Sequence, residues 1–257
     1  MVNWNSDEYL KFKSQRTQPA YDLVNRISIN NPEKIIDIGC GPGNSTEVLA
    51  GKFKKADIMG IDNSQNMIDK AMQQHPELTF KLYDIQYGVS GLNNDYDIVF
   101  SNACIQWVPN HTVLIKNLFS MLRKGGALAI QIPINFSEPI HEIINDISAS
   151  QKWKTFFGAS RIFHTLTSAE YFDILAELTP NFFIWETTYY HNMQSHHTIL
   201  DWYRGTGLRP YLDALPLDKV TEFEQDIFNE VKKRYPVQKS GQVIFPFPRL
   251  FFLAYRE

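Results

Sequence analysis

Five short apolar segments in the first half of the chain alternate with segments of helical periodicity, and this alternation strongly limits the possible folds. The apolar segments, rich in Ile, Val, Leu and Phe, fall at 34–39, 57–62, 79–84, 97–102 and 127–133. Between them, "NSTEVLAGKF" and "NSQNMIDKAMQQ" begin with residues that favour helix N-termini, and "HTVLIKNLFSMLRKGG" ends in a glycine pair. Strands and helices in this order predict a parallel sheet with helices on both faces.

The second half of the chain has a different organisation. Two further strand-like segments fall at 182–191 and 249–256, and a long, mostly helical stretch separates them. Together these patterns predict an α/β fold in which a doubly wound, mostly parallel, seven-stranded sheet carries an inserted helical lid. We expect one domain over residues 1–257, with a cofactor-binding core at 28–133. The lid and substrate-binding insertions are expected at 134–180 and 192–248.

Composition narrows the classes of partner and the compartment. The 257 residues include 25 Lys and Arg against 28 Asp and Glu, a formal charge of -3 without any basic tract, so nucleic acid is not an expected partner. No run of apolar residues is long enough to span a membrane, and we expect a cytoplasmic protein. The two cysteines, Cys40 and Cys104, are expected to be buried reduced thiols. No His or Cys lies at ligand spacing, so no metal is expected.

The sharpest chemical signal is "IIDIGCGPGNST". A strand ends at Asp37, and Gly39, Gly41 and Gly43 then allow a tight turn that a ligand can approach closely. The next strand ends at Asp62, where a carboxylate can bind a ribose diol. The G-x-G-x-G spacing differs from the dinucleotide pattern G-x-G-x-x-G. The acidic Asp37 suits a cationic amino group better than a pyrophosphate.

These motifs resemble known families. "DIGCGPG" followed by "GID" resembles the class I S-adenosylmethionine-dependent methyltransferases. Over nearly the whole chain, segments such as "FSNACIQWVPNH", "GGALAIQIP", "DWYRGTGLRPYLDAL" and "FPFPRLFFLAYR" resemble the trans-aconitate methyltransferases. The resemblance implies a Rossmann-like fold, S-adenosylmethionine as cofactor and esterification of a carboxylate on a small polycarboxylic acid. Where the family commonly has "PDN…EPSH", this chain has "PIN…EPIH", through Ile134 and Ile140.

Motif context assigns the candidate residues to two groups. Those expected at the cofactor lie on the glycine loop, after the following strands or near the N-terminus: Asp37, Gly39, Gly41, Gly43, Asp62, Asn63, Asp84, Asn102, Tyr9 and Trp4. Those expected at the acceptor are Arg209, Arg249, His141, Gln106, Trp107 and Arg16. The guanidinium fork matches a carboxylate, so the arginines are expected to hold the carboxylates that do not react. Structural roles for Arg209 at a helix end, Arg249 in a surface ion pair and Arg16 on a solvated face remain alternatives.

The expected chemistry needs no catalytic acid or base, because a carboxylic acid is already ionised near neutral pH. His141 is carried as a hydrogen-bond donor to the substrate. Two other functions remain open on the sequence alone. One is methylation of another carboxylate, such as a malonyl thioester on acyl carrier protein, and the other is cofactor binding without catalysis. The sequence does not predict an oligomeric state.

Overall fold

Seven strands form one sheet in the order β3-β2-β1-β4-β5-β7-β6. The computed structural model describes residues 12–158 and 163–257. Only β7 runs against its neighbours, β5 and β6, and all other pairs that include β1 to β5 are parallel. The predicted mostly parallel, seven-stranded sheet is therefore confirmed. The strands are β1 (Lys34–Ile38), β2 (Asp57–Asp62), β3 (Thr79–Leu82), β4 (Tyr96–Asn102), β5 (Leu122–Pro133), β6 (Phe182–Met193) and β7 (Val243–Tyr255).

Helices cover both faces of this sheet because each face presents a continuous apolar surface. On one face, Ile35, Ile98 and Phe251 pack under the first two helices, and on the other Val99, Leu128 and Phe252 pack under the fourth and sixth. The described helices are α1 (Lys13–Arg26), α2 (Asn44–Lys52), α3 (Gln65–Gln74), α4 (His111–Ser120), α5 (Pro139–Ala149), α6 (Ser168–Leu178), α7 (His196–Arg204), α8 (Arg209–Ala214) and α9 (Leu217–Arg234). None of these helices is long and apolar enough to cross a membrane.

A second apolar core joins α5, α7, α8 and α9 to the first residues of β7, and we call this unit the lid. Phe223, Ile227 and Val231 of α9 are fully buried in it, together with Phe245. The segment 134–180 divides between the two cores. Its helix α5 belongs to the lid, whereas α6 packs on the sheet through the fully buried Tyr171 and its neighbours.

The two isoleucines that depart from the family pattern are both absorbed by apolar packing. Ile140 is fully buried in the lid core, and its backbone N–H donates to the Tyr235 hydroxyl at 3.1 Å. Ile134 is partly buried against the core under α4 and α6. Neither residue lines the large cavity described below. At both positions, an isoleucine that packs in an apolar core therefore stands where the family pattern has a polar side chain.

The sheet order places a topological switch point at β1, which pairs with β2 on one side and β4 on the other. Helices leave the carboxyl ends of β1 and β4 towards opposite faces of the sheet, so a crevice opens between them. Open α/β sheets bind ligands at this position. The fold thus directs the search for a site to the carboxyl ends of the central strands.

Candidate functional site

A cavity of 690 Å³ lies at the carboxyl ends of β1 to β4. Its volume is in the range of small-molecule and cofactor sites. Eight of the predicted site residues line it: Gly39, Gly41, Asp62, Asn63, Asp84, Asn102, Trp107 and Arg16. Asp37, Gly43, Gln106, His141, Arg209 and Arg249 are not among its lining residues. Trp4 and Tyr9 lie outside the described residues.

The glycine loop between β1 and α2 adopts a backbone that favours glycine throughout. Gly39, Gly41 and Gly43 have φ angles of 73°, 54° and 92°. A Cβ on Gly39 would lie 2.1 Å from Cys104 Sγ and 2.3 Å from its Cβ, so the loop packs directly on the segment after β4. A Cβ on Gly41 would meet nothing within 4 Å. The backbone at Gly41 is therefore open to a ligand in the cavity.

Asp62 ties this loop to the end of β2. Its Oδ2 accepts from the Gly41 N–H at 3.0 Å, and its Oδ1 accepts from the Ser64 N–H at 2.9 Å. Burial raises the pKa of Asp62, the two backbone hydrogen bonds oppose that rise, and the nearby Asp84 adds to it. Each oxygen keeps acceptor capacity, so the carboxylate can hold the loop and still bind ligand hydroxyl groups.

Asp84 and Asn63 extend the acidic side of the cavity. The Asn63 Nδ2 donates to Asp84 Oδ2 at 3.5 Å, and Asp84 Oδ1 accepts from the Gln86 N–H at 2.9 Å. Asp84 is thereby held at the start of a 3-10 turn after β3. Both side chains face the cavity beside Asp62.

Asp37 lies beneath the glycine loop and is fully buried. Its Oδ2 accepts from the hydroxyls of Ser45 and Thr46, both at 2.7 Å, and so fastens the first turn of α2. Burial raises its pKa to about 6 against the effect of those hydrogen bonds, and Asp62 adds a smaller upward contribution. Its Oδ1 has no hydrogen-bond partner. The predicted contact with a cationic group of the ligand stays a prediction.

Arg16 supplies positive charge to the lining of the cavity. Its side chain is only 8% exposed, although the alternative reading of the sequence placed it on a solvated face. One guanidinium nitrogen donates to the Trp202 carbonyl at 3.0 Å, and the group stacks 4.7 Å from the centre of the Trp202 ring. Arg16 therefore links α1, the cavity and helix α7 of the lid.

Arg249 lies on β7 next to this region and is 3% exposed. Its guanidinium donates to Gln131 Oε1 at 3.1 Å and stacks 4.5 Å from the centre of the Phe247 ring. The alternative role, a surface ion pair, does not suit a side chain so deeply buried. Gln131 itself was missed by the sequence analysis. Its only signal is a polar residue within the otherwise apolar strand "ALAIQIP".

Polar side chains follow the carboxyl edge of the sheet from the cavity towards the lid. Asn102 on β4 is in register with Gln131 on β5, and Pro133, two residues further on, is in register with Arg249 on β7. Towards the opposite edge of the sheet, the residues of β4, β5 and β7 on the same face are apolar. Asn102 Oδ1 and Gln131 Nε2 are buried and lack hydrogen-bond partners. This edge therefore has unused capacity to bind a polar ligand.

His141 lies in a small buried network in the lid. Its Nε2 is 3.0 Å from the Tyr203 hydroxyl and 3.2 Å from Asn135 Nδ2. Burial lowers the pKa of His141 to about 4, so the ring is neutral near pH 7. Phe136 and Phe163 pack at its edges. His141 can therefore act as a neutral polar group, and its contact with a substrate stays a prediction.

Trp107 and Gln106 follow β4 in a 3-10 turn. The Trp107 ring lines the cavity and packs 4.7 Å from Phe163. Gln106 turns away from the cavity. Its Nε2 donates to the Ala103 carbonyl at 2.8 Å, which supports a left-handed Ala103 with φ of 54°. Gln106 Oε1 is buried without a hydrogen-bond partner, and its predicted contact with the acceptor stays a prediction.

Arg209 begins α8 on the lid. Its Nε is 3.2 Å from Asp213 Oδ2, one helical turn later, and its side chain is 23% exposed. This ion pair resembles the structural role that the sequence left open. The predicted contact between Arg209 and the acceptor is not tested, and the ion pair with Asp213 favours the structural alternative.

Cys40 and Cys104 are free thiols at the cavity, and burial raises the pKa of both. No group of three or more His, Cys, Asp or Glu residues in the described part of the chain could hold a metal ion.

Comparisons with known proteins agree with the fold. Residues 12–178 match a family model described as a methyltransferase domain. The chain is 40% identical over 261 residues to the trans-aconitate 2-methyltransferase of Yersinia pseudotuberculosis serotype O:1b (strain IP 31758), with 100% of both chains covered. It is 37% identical over 259 residues to the protein of the same name from Variovorax paradoxus (strain S110), again with 100% of both covered.

A solved structure shows the same fold at low sequence identity. Phosphoethanolamine N-methyltransferase 2 of Haemonchus contortus, in complex with phosphomonomethylethanolamine and S-adenosylhomocysteine, superposes with a TM-score of 0.55 and 14% identity. The match covers 93% of this chain and 53% of that chain. The predicted Rossmann-like methyltransferase fold and the family resemblance are thereby confirmed.

The glycine loop generates the first prediction. Ala at position 41 should lower the free energy of unfolding by only about 1–2 kcal/mol, the cost of a left-handed L-residue. Ala at position 39 should lower it by roughly 2–5 kcal/mol, because the overlap with Cys104 adds an overpacking cost. Urea unfolding of Gly39→Ala and Gly41→Ala measures both. Equal losses would show that the contact between Gly39 and Cys104 is unimportant.

The buried Asp37 generates the second prediction. Its pKa is raised to about 6 in the folded state, so its protonation stabilises the fold as the pH falls through 6. Relative to Asp37→Asn, the wild-type protein should gain about 1.4 kcal/mol of unfolding free energy between pH 8 and pH 5. Urea unfolding of both proteins across this range tests the assignment. A difference that does not change with pH would contradict it.

Proposed function

Since the chain belongs to the methyltransferases, and among them to the trans-aconitate 2-methyltransferase family, we propose that it transfers a methyl group from S-adenosylmethionine to a carboxylate of trans-aconitate. Identity of 40% over the full length of the Yersinia pseudotuberculosis relative supports this assignment. The methyl donor of the reaction is S-adenosylmethionine, and the product is a methyl ester.

One feature of the cavity carries the proposal, namely that both acidic side chains and a buried arginine line it. Asp62 and Asp84 make the cavity acidic next to the glycine loop, and Arg16 of α1 adds a positive charge to its lining. The acidic side chains suit the hydroxyl groups and positive charges of S-adenosylmethionine. The arginine suits a polycarboxylate, because a guanidinium group matches a carboxylate in shape and charge.

The residues present fit the methyl donor. Asp62 is proposed to bind the ribose diol, and Asn63 and Asp84 line the cavity with it. Gly41 leaves the loop backbone open, and Asn102 Oδ1 is a buried acceptor without a partner. When bound, S-adenosylmethionine supplies an electrophilic methyl group on a positively charged sulfur atom.

The role of the protein in the reaction is to bind, orient and exclude water. The acceptor carboxylate is ionised near neutral pH, so the site needs no group that removes a proton. Arg16 and Arg249 are proposed to hold carboxylates that do not react, which leaves the remaining one directed at the donor. Such positioning is worth a large part of the barrier when the reacting atoms are held in line.

Aromatic side chains reduce water around the acceptor. Trp107 lines the cavity next to Phe163, whose ring is 4.3 Å from Phe136, and His141 closes this group towards the lid. A positive sulfur and a negative oxygen give neutral products. A site with little water therefore favours the reaction. The charged reactants are less strongly solvated there than in bulk water, so less solvation is lost as their charges are neutralised in the transition state.

The proposal is tested by incubating the protein with methyl-labelled S-adenosylmethionine and a panel of acceptors. The panel contains trans-aconitate, other tricarboxylates, dicarboxylates and malonyl-acyl carrier protein. We expect label in a base-labile ester, with trans-aconitate among the best acceptors. Transfer to the carrier protein without transfer to any polycarboxylate, or no transfer at all, would overturn the proposal.

The absence of a required base generates the third prediction. The rate of a single turnover with saturating trans-aconitate should be nearly constant from about pH 6.5 to 8.5, because carboxylates no longer titrate there. Rapid quenching of the protein preloaded with the methyl donor measures this rate. A tenfold rise per pH unit would instead indicate an acceptor that must lose a proton.

The different surroundings of the two family arginines generate the fourth prediction. Arg249→Lys keeps a positive charge but loses the planar fork at a buried site, so kcat/KM for trans-aconitate should fall by roughly a hundredfold. Arg209→Lys is the matched control. Its fall should stay below about fivefold, since a lysine can also pair with Asp213.

Steady-state kinetics of both variants, with S-adenosylhomocysteine affinity as a check on folding, provides the measurement. A larger loss from Arg209→Lys than from Arg249→Lys would contradict the assignment. It would show that the lid brings Arg209, and not Arg249, to the acceptor.

A further inference from the structure

His191 occupies a position on β6 that neither the glycine loop nor the aromatic group around Trp107 explains. Its ring lies 5.0 Å from the Trp202 ring and 6.2 Å from the Phe247 ring. These are the same two rings that carry the guanidinium groups of Arg16 and Arg249. His191 Nε2 is buried and has no hydrogen-bond partner. The imidazole is thus held among aromatic rings between two arginines, with one nitrogen unused.

Gln131 is the second unused donor in this region. The side chain is fully buried, and its Oε1 accepts from Arg249 at 3.1 Å. That bond orients the amide and leaves its Nε2 without a hydrogen-bond partner. An amide nitrogen and an imidazole N–H are both suitable donors to a carboxylate. A buried donor without a partner carries a free-energy cost that a bound acceptor would remove.

The charges around His191 come from three elements. Arg16 faces it from α1 and Arg249 from β7, while Tyr189 stacks beside it on β6. Burial raises the pKa of Tyr189, so that hydroxyl stays neutral near pH 7. Helix α7 contributes the uncharged Trp202 ring. The Tyr189 hydroxyl donates to Asp22 of α1, and the charges that act directly on His191 are those of the two arginines, which favour an anion.

We propose that His191 and Gln131, together with Arg16 and Arg249, form a buried subsite for the carboxylates of the acceptor that do not react. The inference rests on the proposed function, because it assumes a polycarboxylate acceptor in this part of the molecule. Arg16 connects the subsite to the cavity that it lines. Asn102, in register with Gln131, connects it along the edge of the sheet. The subsite selects acceptors with two or more carboxylates over those with one.

The subsite couples acceptor binding to the uptake of a proton. Burial, with the two arginines, lowers the pKa of His191 to about 4, so the imidazole is neutral in the free protein at neutral pH. A bound carboxylate offsets the positive charge of both arginines and stabilises the imidazolium form of His191. It therefore raises the pKa of His191. Polycarboxylate affinity should therefore increase as the pH falls from 8 to 6. The carboxylates of the acceptor are fully ionised over that range.

Calorimetric titration of trans-aconitate into the protein saturated with S-adenosylhomocysteine tests this fifth prediction without turnover. Measurements at pH 6.5 in two buffers of different ionisation enthalpy give the number of protons taken up. Wild type should take up a measurable fraction of a proton. His191→Phe, which keeps an aromatic ring, should take up none and bind trans-aconitate about 10- to 100-fold more weakly.

Other variants separate a contact with the acceptor from a structural role. His191→Gln keeps an N–H donor, so it should recover most of the affinity but not the proton uptake. Gln131→Leu should weaken binding about tenfold and keep the uptake. His197→Phe is the matched control, because His197 is exposed and stacks on Phe228 in the lid, and it should behave as wild type. Crotonate, with one carboxylate, should bind equally weakly to wild type and His191→Phe.

The outcomes separate this inference from the proposed function. S-adenosylhomocysteine affinity within twofold of wild type shows that a variant is folded. If His191→Phe or His191→Gln keeps wild-type trans-aconitate affinity and proton uptake, the subsite is overturned, even where methyl transfer to trans-aconitate is observed. If wild type binds trans-aconitate with proton uptake but does not methylate it, the subsite stands and the proposed function fails.

Discussion

The backbone N–H of Gly41 donates to Asp62 Oδ2, and this bond joins the glycine loop after β1 to the end of β2. On its other side the loop packs against Cys104 after β4, at a contact that only glycine at position 39 permits. Asp37 fastens the start of α2 from below. The ends of three strands are thus fixed relative to one another. The position of every group in the cavity depends on this arrangement.

The cavity and its surroundings divide the chemistry by charge. Carboxylates collect at the ends of β1 to β3, and buried guanidinium groups lie on α1 and on β7, which is on the other side of β1 in the sheet order. A positively charged donor and a negatively charged acceptor therefore each meet the opposite charge. Since the acceptor already carries its charge, orientation and water exclusion suffice as contributions of the protein. Buried amides and imidazoles that are neutral in the free protein suit such a site, because they can donate hydrogen bonds to the carboxylates of the substrate.

The sequence predicted the sheet and the backbone of the glycine loop well, because both depend on local patterns. Runs such as "KIIDI" and "DIVFSN" are apolar enough to be buried on both faces, and the glycines mark positive φ angles directly. The acceptor side could not be predicted in the same way. Arg249 and Arg16 are distant in sequence and meet only through packing of α1, β7 and the lid. The segment "ETTYYH" does not predict a role for His191, because the alternation of residues on a strand does not show which face lies near an arginine.

The central claim is that donor and acceptor share one charge-divided edge of the sheet, and a crystal structure of the complex with S-adenosylhomocysteine and trans-aconitate tests it most directly. The account predicts the nucleoside at Asp62 and the free carboxylates among Arg16, Arg249, His191 and Gln131. One carboxylate oxygen should lie near the sulfur, at a distance that admits a methyl group in line. An acid bound at Arg209 on the lid, away from Arg249 and Gln131, would contradict the account.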